Sequence, residues 1–241
     1  MHSGFPTVTR GFTLVELAIA SLVMGLILSG ILVPLSRQVE TRQKNDSQRI
    51  LDETREALIG YALSKGYLPC PATSVTNGQE GARTAGTCNS RRGLIPWETL
   101  GVAKLDAWGN ILGYSVTPAF ASSTVPFSLS TSPDITIQTR TSGTAALSNL
   151  TNSNTVVAAI ISFGPNGYGG YNDQAVLRAN PSDWPASNTD ENSNTTNTNS
   201  FVSRDRQDQG ATGIGGEFDD MVVWLPAYTL FQRMVTAKML P

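Results

Sequence analysis

The run Phe12–Leu35, FTLVELAIASLVMGLILSGILVPL, constrains the chain most, because its only charged residue is Glu16. At about 1.5 Å of rise per residue, a helix over 12–35 spans about 36 Å, enough to cross a hydrocarbon core of about 30 Å. A secretory signal peptide has an apolar core of only about 7–15 residues and ends in a small-residue cleavage site. Pro34-Leu35-Ser36-Arg37 is not such a site. The run therefore predicts a membrane-spanning helix, kinked at Pro34, whose ring removes a helical hydrogen bond. A carboxylate at the centre of such a span costs about 2.5–3.5 kcal/mol on insertion scales, so Glu16 calls for a partner. Arg37, Arg42 and Lys44 follow the run, whereas only Arg10 precedes it. That asymmetry by itself places the following segment on the cytoplasmic side.

Past the run, Ile50, Leu51, Thr54, Ala57, Leu58, Tyr61 and Ala62 recur at helical period. Residues 36–66 thus read as an amphipathic stem, with Gly66 as its cap and Pro69 just beyond. Segments 111–116, 126–130, 134–139 and 156–163 read as strands. Val156–Phe163 is nearly all apolar and reads as the central strand, buried on both faces. Leu230, Phe231, Met234, Val235 and Met239 predict a short C-terminal helix. The expected fold class is α+β. A long N-terminal hydrophobic helix (membrane span 12–35 plus stem) packs on an antiparallel β-sheet head, 67–241, with a short C-terminal helix. Within the head, 171–216 is expected as an exposed loop, because Asn188–Asn199 is too polar to bury apolar surface.

Arg10-Gly11-Phe12-Thr13-Leu14-Val15-Glu16-Leu17 resembles the prepilin peptidase motif of type IV pilins and type II secretion pseudopilins. The resemblance covers only these residues, but its coupling to the apolar run makes it specific. It implies that 1–11 is a leader, that prepilin peptidase cuts after Gly11, and that the new N-terminal Phe12 is methylated. It also implies that Glu16, fifth in the mature chain, serves assembly. The Phe12 ammonium of one subunit and the Glu16 carboxylate of a neighbour attract strongly in low dielectric, although desolvation offsets part of the gain. The resemblance further implies a single-pass inner-membrane protein with a periplasmic head, later drawn into a pilus or pseudopilus. Its partners are then other pilins or pseudopilins and an inner-membrane assembly platform.

In an oxidising periplasm Cys70 and Cys88 are expected to pair, which contributes roughly 3 kcal/mol in the chain-entropy account. Asp106-Ala107-Trp108-Gly109-Asn110 resembles the turn before the first head strand of major pseudopilins. Its Asp and Asn suit local backbone bonding and its Gly a positive φ. Ser162–Gly170 together with Glu217–Trp224 resembles the calcium-binding loop of the major pseudopilin. The resemblance implies a calcium site on Asp219 and Asp220. Asn166, where the family often has Asp, would add a neutral oxygen to the six to eight that calcium takes. The alternative is a polar turn leading into a strand.

Charge and histidine content narrow the function. A net charge of -2 with 15% charged residues offers no basic face for nucleic acid. The only histidine, His2, lies in the expected leader. Nucleophilic systems that need histidine, and histidine metal sites, are thereby excluded from the mature chain. A carboxylate-pair hydrolase on Asp219 and Asp220 is disfavoured, because adjacent residues of a strand point to opposite faces. The expected function is a structural filament subunit, minor pilin or pseudopilin, and not an enzyme. The alternatives are a tip adhesin or partner-binding minor pilin, motivated by the Asn-rich stretch, and more remotely a membrane-anchored periplasmic enzyme.

Overall fold

A computed structural model describes residues 11–140, 146–178, 185, 187–207, 213 and 215–240, with the backbone alone for 26–36. The elements in chain order are α1 (Leu14–Lys65), β1 (Arg83–Thr84), β2 (Thr87–Cys88), β3 (Arg92–Leu94), α2 (Trp97–Leu100) and β4 (Gly113–Val116). A 3-10 turn follows at Pro118–Phe120. Then come β5 (Thr136–Thr139), β6 (Ser148–Asn149), β7 (Val156–Ser162), α3 (Thr189–Thr196), β8 (Ser200–Val202), β9 (Met221–Pro226) and α4 (Ala227–Thr236). The chain divides into two compact units at Lys44 and Asn45.

In the first unit the large apolar side chains of Phe12, Leu14, Val15, Leu17, Ile19, Leu22, Val23 and Met24 are all exposed. The expected membrane span is corrected here. Among the described residues no helix is long and apolar enough to cross a membrane, so a single-pass inner-membrane anchor is not supported. The helix starts at Leu14 rather than Phe12, and its apolar side chains are described only as far as Gly25. From Arg37 onward the helix is polar until the stem stripe begins.

The second unit is built around β7. A four-stranded antiparallel sheet runs in the order β3-β4-β7-β9, and every residue of β7 is buried. The reason is that both its faces are covered. On one side Ala158 and Ile160 join Leu51, Leu58 and Ala62 of α1, Tyr114 of β4, and Leu230 and Met234 of α4. On the other, Val156, Ala159 and Ile161 join Ile135, Ile137, Phe163 and Phe201. The predicted stem stripe is therefore the stripe that packs. Gly66, with φ 81°, ends the helix by donating its N–H to Ala62 O at 2.8 Å, the left-handed C-terminal cap that glycine permits.

The expectation of a single antiparallel sheet is also corrected. Among the described residues there are three sheets: a two-stranded β1-β2, the four-stranded sheet, and a three-stranded β6-β5-β8 in which β5 and β8 run parallel. The second apolar face of β7 demands its own cover, and the β5–β8 layer supplies it. Segment 126–130 forms no strand; β5 and β7 fall where strands were expected. The stretch 188–199, expected as an exposed loop, contains α3, whose Asp190, Glu191 and Asn194 are buried. Parts of 171–216, namely 179–184, 186, 208–212 and 214, lie outside the described residues, as do residues 1–10 of the expected leader.

Candidate functional site

Besides the Cys70–Cys88 pair, two places carry the sequence-predicted residues. The first is the start of α1. Gly11 and Phe12 are exposed and precede the helix. Glu16 closes a capping box: its N–H donates to Thr13 Oγ1 (3.2 Å), and its Oε2 accepts from Thr13 N (3.0 Å) and Thr13 Oγ1 (2.9 Å). The Thr13-x-x-Glu16 pairing satisfies two otherwise orphaned donors at the start of the helix. The Thr13 hydrogen bonds hold the Glu16 carboxyl below its ordinary range.

Cys70 and Cys88 form a disulfide (S–S 2.02 Å, Cα–Cα 5.4 Å). Its loop is held by Glu80, whose Oε2 accepts from Cys70 N (3.1 Å) and Arg83 Nη2 (3.0 Å).

The second place is an acidic pocket where the loop after β7, the start of α3 and the approach to β9 meet. Beneath it lies the Asp106–Asn110 turn. Asp106 Oδ1 accepts from the backbone N–H groups of Trp108 and Asn110, both at 2.9 Å, and its Oδ2 accepts from Ser162 Oγ at 2.6 Å. Burial nonetheless pushes this carboxyl up. Asn110 Nδ2 donates to Gly164 O at 2.7 Å, tying the turn to the loop. Gly164 has φ 57°, and a Cβ there would run into the Asp219 carboxylate, so the approach needs glycine.

Glu191, Asp219 and Asp220 each bring one carboxylate oxygen within 4.8 Å of the others. Glu191 Oε1 accepts from Asp219 N (2.8 Å), and its Oε2 accepts from Asn188 Nδ2 (2.6 Å). Asp219 Oδ2 accepts from Asn166 N (3.2 Å). Asp220 Oδ2 accepts from Asn194 Nδ2 (2.9 Å). The Asn166 amide donates to Glu191 Oε1 (3.0 Å), Glu191 Oε2 (3.1 Å) and Glu217 Oε1 (3.1 Å). Asp219 Oδ1 and Asp220 Oδ1 are buried without a partner.

Burial, then the neighbouring charges of Glu191 and Glu217, pushes the Asp219 carboxyl up to about 8. Burial and Glu191 push Asp220 well above its ordinary range, and burial raises Glu191. Several buried carboxylates facing one another are costly unless protons or a cation neutralise them. Next to the pocket Asp190 is paired twice, by Arg140 Nη2 (2.9 Å) and Arg204 Nε (2.7 Å), and takes no part in that frustration.

The structure brings Asp219, Asp220 and Asn166 close together, with two differences from the sequence expectation. The adjacent acids reach one pocket because they precede β9 instead of lying in it. The Asn166 oxygen faces away: Oδ1 accepts from Tyr168 N at 2.9 Å, and the amide nitrogen faces the carboxylates. Glu191 and Glu217 were missed. The one local signal for Glu191 was that it and Asp190 are the only acids of 187–203. The donor set is all oxygen, with carboxylates and no sulfur or imidazole, which suits a hard divalent cation such as calcium rather than zinc. The two orphaned buried oxygens fit such an ion.

No protein-family model matches the chain, and neither does any curated protein or solved structure.

Proposed function

We propose that the chain is a filament subunit of the type IV pilin class, a minor pilin or a pseudopilin. On this reading prepilin peptidase cuts it between Gly11 and Phe12, Phe12 is methylated, and α1 joins it to like subunits. The observation that carries the reading is the apolar start of α1. Its side chains from Leu14 to Met24 are exposed around the whole helix, with Leu14 at 90%. A helix that is apolar all round belongs inside an assembly. Covering the eight large apolar residues from Phe12 to Met24 contributes roughly 12–24 kcal/mol at 1.5–3 kcal/mol each, comparable to or above the association cost of about 4–15 kcal/mol. A bundle of such helices meets this need. Glu16 then pairs with the Phe12 ammonium of a neighbour, and its capping bonds to Thr13 hold it at the helix start. The acidic pocket, on the same proposal, holds calcium through Glu191, Asp219 and Asp220, and the bound charge locks the loop after β7 to α3.

The test uses Glu16→Gln, which keeps the capping geometry and removes the charge. The variant is expected to be cleaved normally, with a methylated Phe12 N-terminus by mass spectrometry, but to fall at least about tenfold in sheared filaments, the loss that ~1.4 kcal/mol of charge pairing gives. Incorporation at the wild-type level would overturn the pairing and leave Glu16 as a helix cap.

A further inference from the structure

We infer that Asn166 is an internal stand-in for the cation, held against the pocket when no ion is bound and competing with the ion for the Glu191 carboxylate. This rests on the calcium reading above and concerns how that site is regulated.

The geometry is one-sided. Tyr168 N–H donates to Asn166 Oδ1 at 2.9 Å, which fixes which end of the amide is the oxygen. The Nδ2 end therefore points between Glu191 and Glu217, donating to three of their oxygens at 3.0–3.1 Å. An NH2 group between two carboxylates supplies the partial positive charge that a metal would supply in full. Glu191 is the shared element: both its oxygens are engaged by Asn166, and it is also the acid that converges with Asp219 and Asp220. Those two keep unpartnered buried oxygens, so the amide satisfies one side of the pocket and leaves the other waiting. An ion that draws Glu191 toward Asp219 and Asp220 must displace the amide. Asn166 follows Pro165 and precedes Gly167, whose φ of 70° and N–H bond to Phe163 O (3.0 Å) pin the loop. The amide is thus delivered by a fixed backbone. The head stays folded without calcium, and each binding event is discounted by the hydrogen bonds it breaks.

The experiment compares wild type with Asn166→Ala as purified full-length chains, by calcium calorimetry and by melting in chelator. Displacement predicts that Asn166→Ala binds calcium about tenfold more tightly, the factor for one lost competing charge-assisted interaction. It also predicts that the variant melts about 5 °C lower without metal, because Glu191 and Glu217 lose their neutral bridge. If Asn166 were instead a ligand, Asn166→Ala would bind more weakly than wild type, which overturns the inference while sparing the calcium site. An unchanged melting temperature in chelator overturns it as well. No calcium binding by the wild-type chain would remove the site and the inference together.

Discussion

Replacing Asp219 by asparagine tests whether the acidic pocket is frustrated without a cation. Asp219 is buried, one of its oxygens has no partner, and Glu191 and Glu217 face it. Its carboxyl is pushed from 3.8 up to about 8. Between these values the unfolded chain has released the proton and the folded chain still holds it. Stability of the metal-free protein therefore falls as pH rises from about 4 to about 8, and this group takes nothing further above that. A displacement of about four pH units sets a ceiling of ~6 kcal/mol, and relaxation of the surrounding loops leaves ~2–3 kcal/mol. The substituted amide carries no charge and escapes this loss. In chelator at pH 8, Asp219→Asn should melt about 4–12 °C above wild type, at about 2–4 °C per kcal/mol for a chain of this size. Near pH 4 the two should coincide. Adding calcium should reverse the order. At a concentration about a hundredfold above its dissociation constant, calcium stabilises wild type by ~2.7 kcal/mol, and the variant, short of one ligand charge, by less. Circular-dichroism melts at pH 4.5, 6 and 8 supply the data. A variant no more stable than wild type at pH 8 in chelator, or one whose advantage is the same at pH 4.5, would refute the reasoning.

Gly164→Ala should remove calcium binding and destabilise the head by about 2–4 kcal/mol, because it combines a left-handed backbone with a collision against Asp219; calorimetry and melting report both. Reducing the Cys70–Cys88 disulfide, or replacing both cysteines by serine, should lower stability by roughly 3 kcal/mol, read as a melting shift of about 6–12 °C. Leu58→Ala, which empties a fully buried position between the stem and the sheet, should cost about 2–5 kcal/mol in chemical unfolding, with calcium affinity unchanged.

What could be read from the sequence follows how local the physics is. The stem stripe was legible because Leu51, Thr54, Leu58 and Ala62 repeat at helical period and all four are buried. Strand β7 was legible because only a strand covered on both faces needs Val156–Ile161 to be wholly apolar. The α4 helix showed its amphipathic pattern, and Leu230 and Met234 are its buried face. The apolar run at the start was readable as composition but not as a membrane span. Hydropathy marks a surface that must be covered and does not name what covers it.

The Asn-rich stretch shows a deeper limit. Its composition forecasts an exposed loop because asparagine gains nothing from burial alone. Yet Asn194 is fully buried: its Nδ2 donates to Val202 O (2.9 Å) and Asp220 Oδ2 (2.9 Å), and its Oδ1 accepts from Val202 N (2.7 Å). Each amide can satisfy both a donor and an acceptor, so a run of them can line a polar interior that an aliphatic run could not. Asp190 is buried by the same logic, through Arg140 and Arg204 from distant parts of the chain. Once α3 is held inside, Glu191 has only one direction to face, and the pocket follows. The partners that make these burials tolerable lie from 8 to 50 residues away in sequence. No windowed pattern registers such pairs. The pocket was therefore half visible, at Asp219, Asp220 and Asn166, where the loop resemblance reached. It was hidden at Glu191, where only the folded network shows that one face of this polar stretch, Asn188, Asp190, Glu191 and Asn194, is buried.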